Sequence, residues 1–418
     1  MSSAFKQLGL SDLLVNTVSE LGFSQPTDVQ VHGIPAVLTG KDVLAGAQTG
    51  TGKTAAFGLP IIQLLMEKGA KRDIQSNDVQ ALVLVPTREL AQQVFDNVSA
   101  YAKGSDLKVV TAYGGTSMRI QTQNLQSGCD VLIATPGRLI DHLFCKNINL
   151  WKTSFLVLDE ADRMLDMGFM PDIKRILGKM AKERQTLFFS ATFDKKIKEI
   201  AYKMMNEPIE VQVTPTNSTA ENVKQMVYPV DKKRKSELLA FLIGSKNWQQ
   251  VLVFTKTKQG SDALAKELKL DGIKAASING DKSQGARQKA LDDFKSGKVR
   301  ALIATDVAAR GLDIHQLEQV VNFDMPYKAE DYVHRIGRTG RAGQAGLAVS
   351  LMSQDEHYLL EAIERLLDTR LPQEWLQGFE PSLRETLDTE GGQRRNSRSA
   401  EKRKMKAKLK IHAGRGRR

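Results

Sequence analysis

The sequence predicts an α/β fold: two doubly wound parallel sheets in tandem, followed by a basic tail. Three observations lead there. Short continuous apolar runs, which read as strands buried on both faces, alternate with helical segments. The alternation breaks once, across a Pro/Thr/Ser/Asn stretch, and then resumes. The first series also contains Ala47-Gln48-Thr49-Gly50-Thr51-Gly52-Lys53-Thr54, set between the strand-like Asp42-Val43-Leu44-Ala45 and the helix-opening Ala55-Ala56-Phe57. Small residues in such a turn let successive backbone N–H groups converge on phosphate oxygens, and the helix N-terminus adds partial positive charge. In that reading Lys53 reaches the β- and γ-phosphates and the Thr54 hydroxyl ligates Mg²⁺. An ordinary Gly-rich turn is the bland alternative, and the strand–turn–helix setting counts against it.

Taken in order, the chain opens with a helix from Leu10 to Leu21, with Ser11 as its cap, then a loop punctuated by Gly22 and Pro26. Gln30 stands at the start of the next helix; its amide offers a donor and an acceptor side by side, which matches the edge of an adenine. A surface Gln would look the same. After the Gly-rich turn come Ala81-Leu82-Val83-Leu84-Val85-Pro86, capped by Thr87-Arg88-Glu89, and Val131-Leu132-Ile133-Ala134, ending in Thr135-Pro136-Gly137-Arg138. Phe155-Leu156-Val157-Leu158 ends in Asp159-Glu160-Ala161-Asp162, and Leu187-Phe188-Phe189 ends in Ser190-Ala191-Thr192. Ligands of doubly wound sheets bind at the carboxyl ends of the strands. Each polar cluster falls at such an end, which a fold without a site there has no reason to arrange.

The break, residues 213–224, reads as an interdomain linker between domains at 1–212 and 225–372. Val251-Leu252-Val253-Phe254, Ala301-Leu302-Ile303-Ala304 and Val320-Val321-Asn322-Phe323 are the clearest strands of the second series, and Leu359–Leu367 its closing helix. Ile303-Ala304-Thr305 echoes Ile133-Ala134-Thr135, but the second half has no Gly-Lys-Thr. Residues 373–418 form an extension.

The totals set limits on function. The 418 residues suffice for two or three cores. The longest apolar run is far short of a membrane span, and the opening residues do not form a signal peptide. Two cysteines, Cys129 and Cys145, make neither a metal-ligand spacing nor a disulfide framework, so a reducing, cytoplasmic setting is expected. The net charge is +12, yet residues 391–418 alone hold twelve Lys/Arg against one acid, which leaves only +1 for the rest. Such a tail is expected to stay disordered and to attract polyanions, nucleic acid first among them; a solubilising terminus is the alternative.

Two clusters carry chemistry beyond the turn. Asp159 at a strand end can hold Mg²⁺ through water, and Glu160 can orient an attacking water. His334-Arg335-Ile336-Gly337-Arg338-Thr339-Gly340-Arg341 gathers three arginines, suited to the charge that develops on a transferring phosphoryl group. They lie in the half without the phosphate turn, so the site is expected to be complete only when the halves close.

With these motifs in their order, residues 1–370 resemble the DEAD-box ATP-dependent RNA helicases, named after Asp159-Glu160-Ala161-Asp162. The compact core and short basic tail resemble the bacterial RhlE-type subgroup. The resemblance implies two RecA-like lobes that close on ATP, Mg²⁺ and single-stranded RNA. It implies adenine reading by Gln30, with Phe23 of the same motif and the upstream aromatic Phe5 beside the nucleotide, although Asp28 and Val29 depart from the usual Pro and Ile. Gln48, Thr49, Gly50, Thr51, Gly52, Lys53 and Thr54 would hold the phosphates, Asp313 the ribose, and Arg338 and Arg341 would be arginine fingers. Asp162, Ser190, Thr192 and His334 would couple hydrolysis to strand separation. RNA would lie along Pro86, Thr87, Arg88, Gly114, Gly115, Thr135, Pro136, Gly137 and Arg138, and along Gln284, Arg287 and Thr305 of the second half. Hydroxyls, glycine N–H groups and guanidinium suit a backbone rather than bases, so sequence readout should be weak and the 2′-hydroxyl should distinguish RNA. A monomeric core is expected, off the membrane, with ribosomal precursors or RNA-decay complexes as candidate settings. A slow ATP-gated RNA clamp and a DNA-directed helicase are the competing readings.

Overall fold

The computed structural model describes residues 4–47, 51–69, 77–193, 195–212, 223–309, 312, 314, 317–340 and 346–382. Its strands are β1 (Val43–Gly46), β2 (Ala81–Leu84), β3 (Val109–Ala112), β4 (Val131–Ala134), β5 (Phe155–Leu158), β6 (Gln185–Ser190), β7 (Ile209–Gln212), β8 (Val223–Pro229), β9 (Val251–Thr255), β10 (Ala275–Ile278), β11 (Ala301–Thr305), β12 (Gln319–Asn322) and β13 (Gly346–Met352). They form two separate sheets, one in each of two compact units.

The first sheet runs β3-β4-β2-β5-β6-β1-β7, and its strand pairs are parallel. Alternate residues of each apolar run enter opposite cores. Val43, Ala45, Val83, Ile133, Val157 and Phe189 join one cluster, while Leu44, Leu84, Ala134, Leu158 and Phe188 join the other. That is why these strands are apolar throughout rather than alternating. The second sheet runs β10-β11-β9-β12-β13-β8, also with parallel pairs. The echo between the two halves is topological as well: β4 and β11 each lie one strand in from an edge.

Two expectations need adjustment. β8 begins at Val223, two residues inside the stretch expected to be linker. The extension after 372 is, in its first ten residues, part of the second unit. Gln373 bridges to Val227, Phe379 is buried with its ring 5.5 Å from Phe241, and the Arg234 guanidinium stacks over it at 4.7 Å. The basic tail, 391–418, lies outside the described residues. Among the described helices none is long and apolar enough to cross a membrane.

Candidate functional site

The turn after β1 is gripped from two sides. Gly52 has φ +89°, a conformation that favours glycine, and caps the helix Lys53–Glu67. A Cβ on it would run into the Gln30 amide and stand 3.1 Å from the Thr27 hydroxyl. Both of these side chains bond the turn itself. The Thr27 hydroxyl donates to the Thr51 carbonyl at 2.7 Å, and the Gln30 amide nitrogen donates to the Gly52 carbonyl at 3.1 Å. The Gln30 carbonyl accepts from the Thr27 N–H at 3.0 Å, closing a capping box at the start of helix Asp28–Leu38. Gln30 is therefore not a surface residue. Its amide is pinned between a helix cap and the Gly-rich turn, with one N–H and one lone pair left over. On the other side, the Ala47 N–H donates to the Ser190 carbonyl at 3.0 Å, tying the turn to the end of β6.

Lys53 is buried, and among the described residues its ammonium has no hydrogen-bond partner. It stands 3.6 Å from the Asp159 carboxylate, which is itself buried. Burial pushes the Asp159 carboxyl above the usual carboxylate range; Glu160 and Asp162 add to the rise, while Lys53 and the Glu160 N–H oppose it. A desolvated ammonium with unmet donors beside a carboxylate held out of water fits an anionic oxygen and a divalent cation in the same space. Thr54, at the second position of the helix, is half-buried. Gln48, Thr49 and Gly50 lie outside the described residues.

Glu160 adopts φ +52°, a left-handed conformation that costs a non-glycine residue about 1–2 kcal/mol. Arg163, three residues on, is buried and ion-paired to its carboxylate. Sequence reasoning gave Arg163 no role, because nothing local announces the left-handed residue that turns Glu160 back towards it. Asp162, expected to be a coupling residue, is bonded to the end of β6. One carboxylate oxygen accepts from the Ala191 N–H at 3.0 Å, the Thr192 N–H at 3.2 Å and the Thr192 hydroxyl at 3.3 Å. The Ser190 hydroxyl donates to the Thr192 carbonyl at 2.7 Å, so the two strand ends form one hydrogen-bonded unit.

The other motifs of this unit gather at the next three strands. Thr87 caps the helix after β2, accepting from the Leu90 N–H at 3.3 Å, and Pro86 precedes it. The Arg88 guanidinium lies across Gly114 and Gly115; a Cβ on Gly115, where φ is +82°, would stand 2.7 Å from its central carbon. Thr135 caps the helix after β4, with Pro136 at its first position and Gly137 exposed. Arg138 donates to the Thr116 carbonyl at 3.2 Å and to the Gln121 side chain at 3.0 Å. Gln121 was not anticipated. Its carbonyl is also 3.1 Å from buried His142, whose pKa burial lowers, and its amide donates to the Tyr113 carbonyl at 2.9 Å. It thereby fixes Arg138 to the loop of Gly114 and Gly115.

Phe5 departs from expectation. Its ring is 1% exposed, packed in the core with its centroid 6.4 Å from that of Phe23, which is in turn 6.3 Å from Tyr101. It has no open face for a base and instead braces Phe23, which is half-buried, and the loop before Gln30.

In the second unit Gln284 and Arg287 lie on the first turn of the helix after β10, and Thr305 ends β11. The two described arginines of the cluster near its end are not equivalent. Arg335 is an internal anchor, bonded to Asp306 at 2.6 and 2.7 Å, to the Asn322 carbonyl oxygen at 3.1 Å and to the Asp324 carbonyl at 2.7 Å. Arg338 follows the end of helix Ala329–Ile336, which carries half-buried His334, and is buried. Arg341 and Asp313 lie outside the described residues.

This arrangement can be set beside known proteins. The family model for the DEAD/DEAH box helicase matches residues 27–200, and that for the helicase conserved C-terminal domain matches residues 233–343. The chain is 41% identical over 372 residues to the RNA helicase CrhR of Synechocystis sp., covering 89% of this chain and 74% of that one. It is 41% identical over 388 residues to the DEAD-box ATP-dependent RNA helicase CshA of Bacillus subtilis, covering 93% and 76%. Among solved structures it is similar to S. cerevisiae Dbp5 bound to RNA and ADP BeF3, at a TM-score of 0.78 and 29% identity over 90% of this chain and 96% of that one. It is also similar to the DEAD-box helicase Mss116 bound to ssRNA and UDP-BeF, at a TM-score of 0.80 and 28% identity over 92% and 82%. With a Gly-rich turn, a paired Lys53 and Asp159, and Asp162 bonded to Ser190-Ala191-Thr192, all on a parallel sheet that these relatives share, the chain belongs to the DEAD-box RNA helicase family.

Proposed function

We propose that this chain is an RNA-stimulated ATPase that uses Mg-dependent ATP hydrolysis to open short RNA duplexes and to remodel RNA or RNA–protein complexes. The observation that carries the reading is the Lys53 ammonium, buried beside Asp159 at the mouth of the Gly-rich turn and without a hydrogen-bond partner among the described residues. Lys53 would bind the β- and γ-phosphates, and Thr54 with Asp159, the latter through water, would hold the metal. A magnesium ion held there would offset charge developing on the transferred phosphoryl group. The spare donor and acceptor of Gln30 would read adenine. Glu160, its direction set by Arg163, would orient the attacking water. Arg338 and Arg341 would meet transition-state charge, so turnover draws on both units. RNA, with binding residues on both units, would promote it. A cytoplasmic setting, a monomeric core, placement in the RhlE-type subgroup and action on ribosomal precursors or RNA-decay complexes belong to this proposal; the support for the subgroup is the compact core with its short basic tail.

The test is ATP turnover with RNA, with DNA and with neither. RNA should stimulate it and DNA should not. Lys53→Ala should impair ATP use, whereas Glu160→Gln should keep ATP and RNA bound together with hydrolysis nearly lost. Equal turnover with and without saturating RNA, or near-normal turnover in Glu160→Gln, would overturn the assignment. Slow turnover with long-lived RNA binding in the unaltered chain would favour the clamp.

A further inference from the structure

The first sheet has a second edge, at the amino ends of β2 and β5, opposite the strand ends that carry the Gly-rich turn; helix Pro136–Phe144, which starts at the RNA residues, reaches it with its far end. Asp78, ahead of β2, pairs there with Asn149, and Trp151 follows just before β5. A cavity of about 900 Å³ opens at this edge. Its floor is apolar, built in part from Leu143 and buried Leu150. Two large aromatics stand beside it almost bare: Phe144 is 88% exposed and Trp151 64%. Lys146, Arg175 and Lys179 are exposed around it, Arg175 with the Asp172 carboxylate 3.7 Å away. Asp78 is the lone carboxylate among the described lining residues, and Lys152 neutralises it at 2.7 Å.

Bare aromatics flanking an apolar hollow have the composition of an interface anchor rather than of an ordinary surface. The charge around the hollow says what sign of partner it takes. The chain's own tail carries a formal +11 at residues 391–418 and is repelled by a basic rim. A single-stranded nucleic acid would satisfy the rim and could stack on Phe144 or Trp151, but the apolar floor offers its sugars and phosphates no hydrogen-bonding groups, as a backbone-tracking groove does. We propose that this cavity docks a partner protein through an acidic segment that inserts aromatic or aliphatic side chains between Phe144 and Trp151. Because it lies at the strand ends opposite the Gly-rich turn and the RNA residues, a partner could stay docked through the ATPase cycle.

The test pans a random peptide-display library on the full-length chain and counter-selects on Phe144→Ser/Trp151→Ser. Both positions are exposed, and the variant should keep its melting temperature and RNA-stimulated ATPase. Enriched peptides should carry Asp/Glu around one or two aromatic or aliphatic residues. Their affinity should fall about tenfold or more in the double variant, and also in Lys146→Glu/Lys179→Glu, with added salt weakening what remains. Four results would overturn the proposal. They are no enrichment over the double variant, a consensus without acidic residues, displacement of enriched peptides by a short oligouridylate that crosslinks at Trp151, and self-association of the chain that the double variant abolishes.

Discussion

Substituting Gly115 by Ala separates RNA binding from nucleotide chemistry with a single methyl group. At φ +82° an L side chain is strained by about 1–2 kcal/mol. At about 2–4 °C per kcal/mol for a unit of this size, the first unit should melt about 2–8 °C lower. The added Cβ would also stand 2.7 Å from the Arg88 guanidinium carbon and nearer still to its Nη1, where ordinary contact begins at 3.4 Å, so the guanidinium must retreat by more than about 0.7 Å. A charge-assisted hydrogen bond is worth about 1.5–3 kcal/mol, so losing one between Arg88 and an RNA phosphate should raise the RNA concentration for half-maximal stimulation about tenfold to a hundredfold. The ATP concentration for half-maximal rate, and the rate at saturating RNA, should hardly change, because neither residue touches the Gly-rich turn. The assay is steady-state ATPase titrated with a homopolymeric RNA, alongside thermal melting. Arg88→Ala should reproduce the RNA defect without the melting shift, and combining the two should add little. A Gly115→Ala protein that melts lower but keeps its RNA half-saturation would refute the idea that this glycine exists to seat Arg88.

The remaining predictions concern the grips on the Gly-rich turn, the coupling residue and the tail. Gln30→Ala should cost about 1 kcal/mol through the lost capping box and should narrow the preference for ATP over GTP; unchanged discrimination would leave Gln30 a helix cap only. Asp162→Asn keeps the shape but weakens the acceptor for the Ala191 and Thr192 N–H groups, so duplex opening per ATP hydrolysed should fall more than ATPase itself; parallel losses in both assays would remove its coupling role. Deleting residues 391–418 removes a formal +11 and should lower RNA affinity most at low salt, flattening the log–log salt slope by about 0.7 for each phosphate no longer neutralised. Parallel slopes for full-length and truncated protein would mark the tail as a solubilising terminus.

What could be read ahead of the structure was whatever local chemistry announces. Four apolar residues ending in Asp159-Glu160, or a Gly-rich octet before a helix, carry their meaning within ten residues, and the strands and their polar ends were legible for that reason. Roles decided by distant partners were not. Gln121 serves Tyr113, Arg138 and His142, which come from separate stretches. Arg335 and Arg338 look alike in a run of arginines, yet helical phase turns Arg335 inward to Asp306, whereas Arg338 lies beyond the helix end. Phe5 had the right spacing for a ring on adenine, but spacing does not report that its ring is covered. The stretch 373–382 has no periodicity to mark it as part of a fold, and its buried anchor, Phe379, finds a partner in Phe241 far back in the chain.

The strand order β3-β4-β2-β5-β6-β1 draws a border through the first unit. Residues assigned to RNA hang from the first three strands, and those assigned to the nucleotide hang from the next three. A single ladder, in which Ala81 to Leu84 lie beside Phe155 to Leu158, is the seam between the two territories. Loops on the RNA flank could therefore be grafted from another scaffold without re-engineering the nucleotide flank, as long as that ladder keeps its register. By the same layout, a message passing within this unit from one flank to the other has two ways across: this ladder, and the packing of helix Lys53–Glu67 on helix Arg88–Tyr101, where Gly58 faces Tyr101 and Val98.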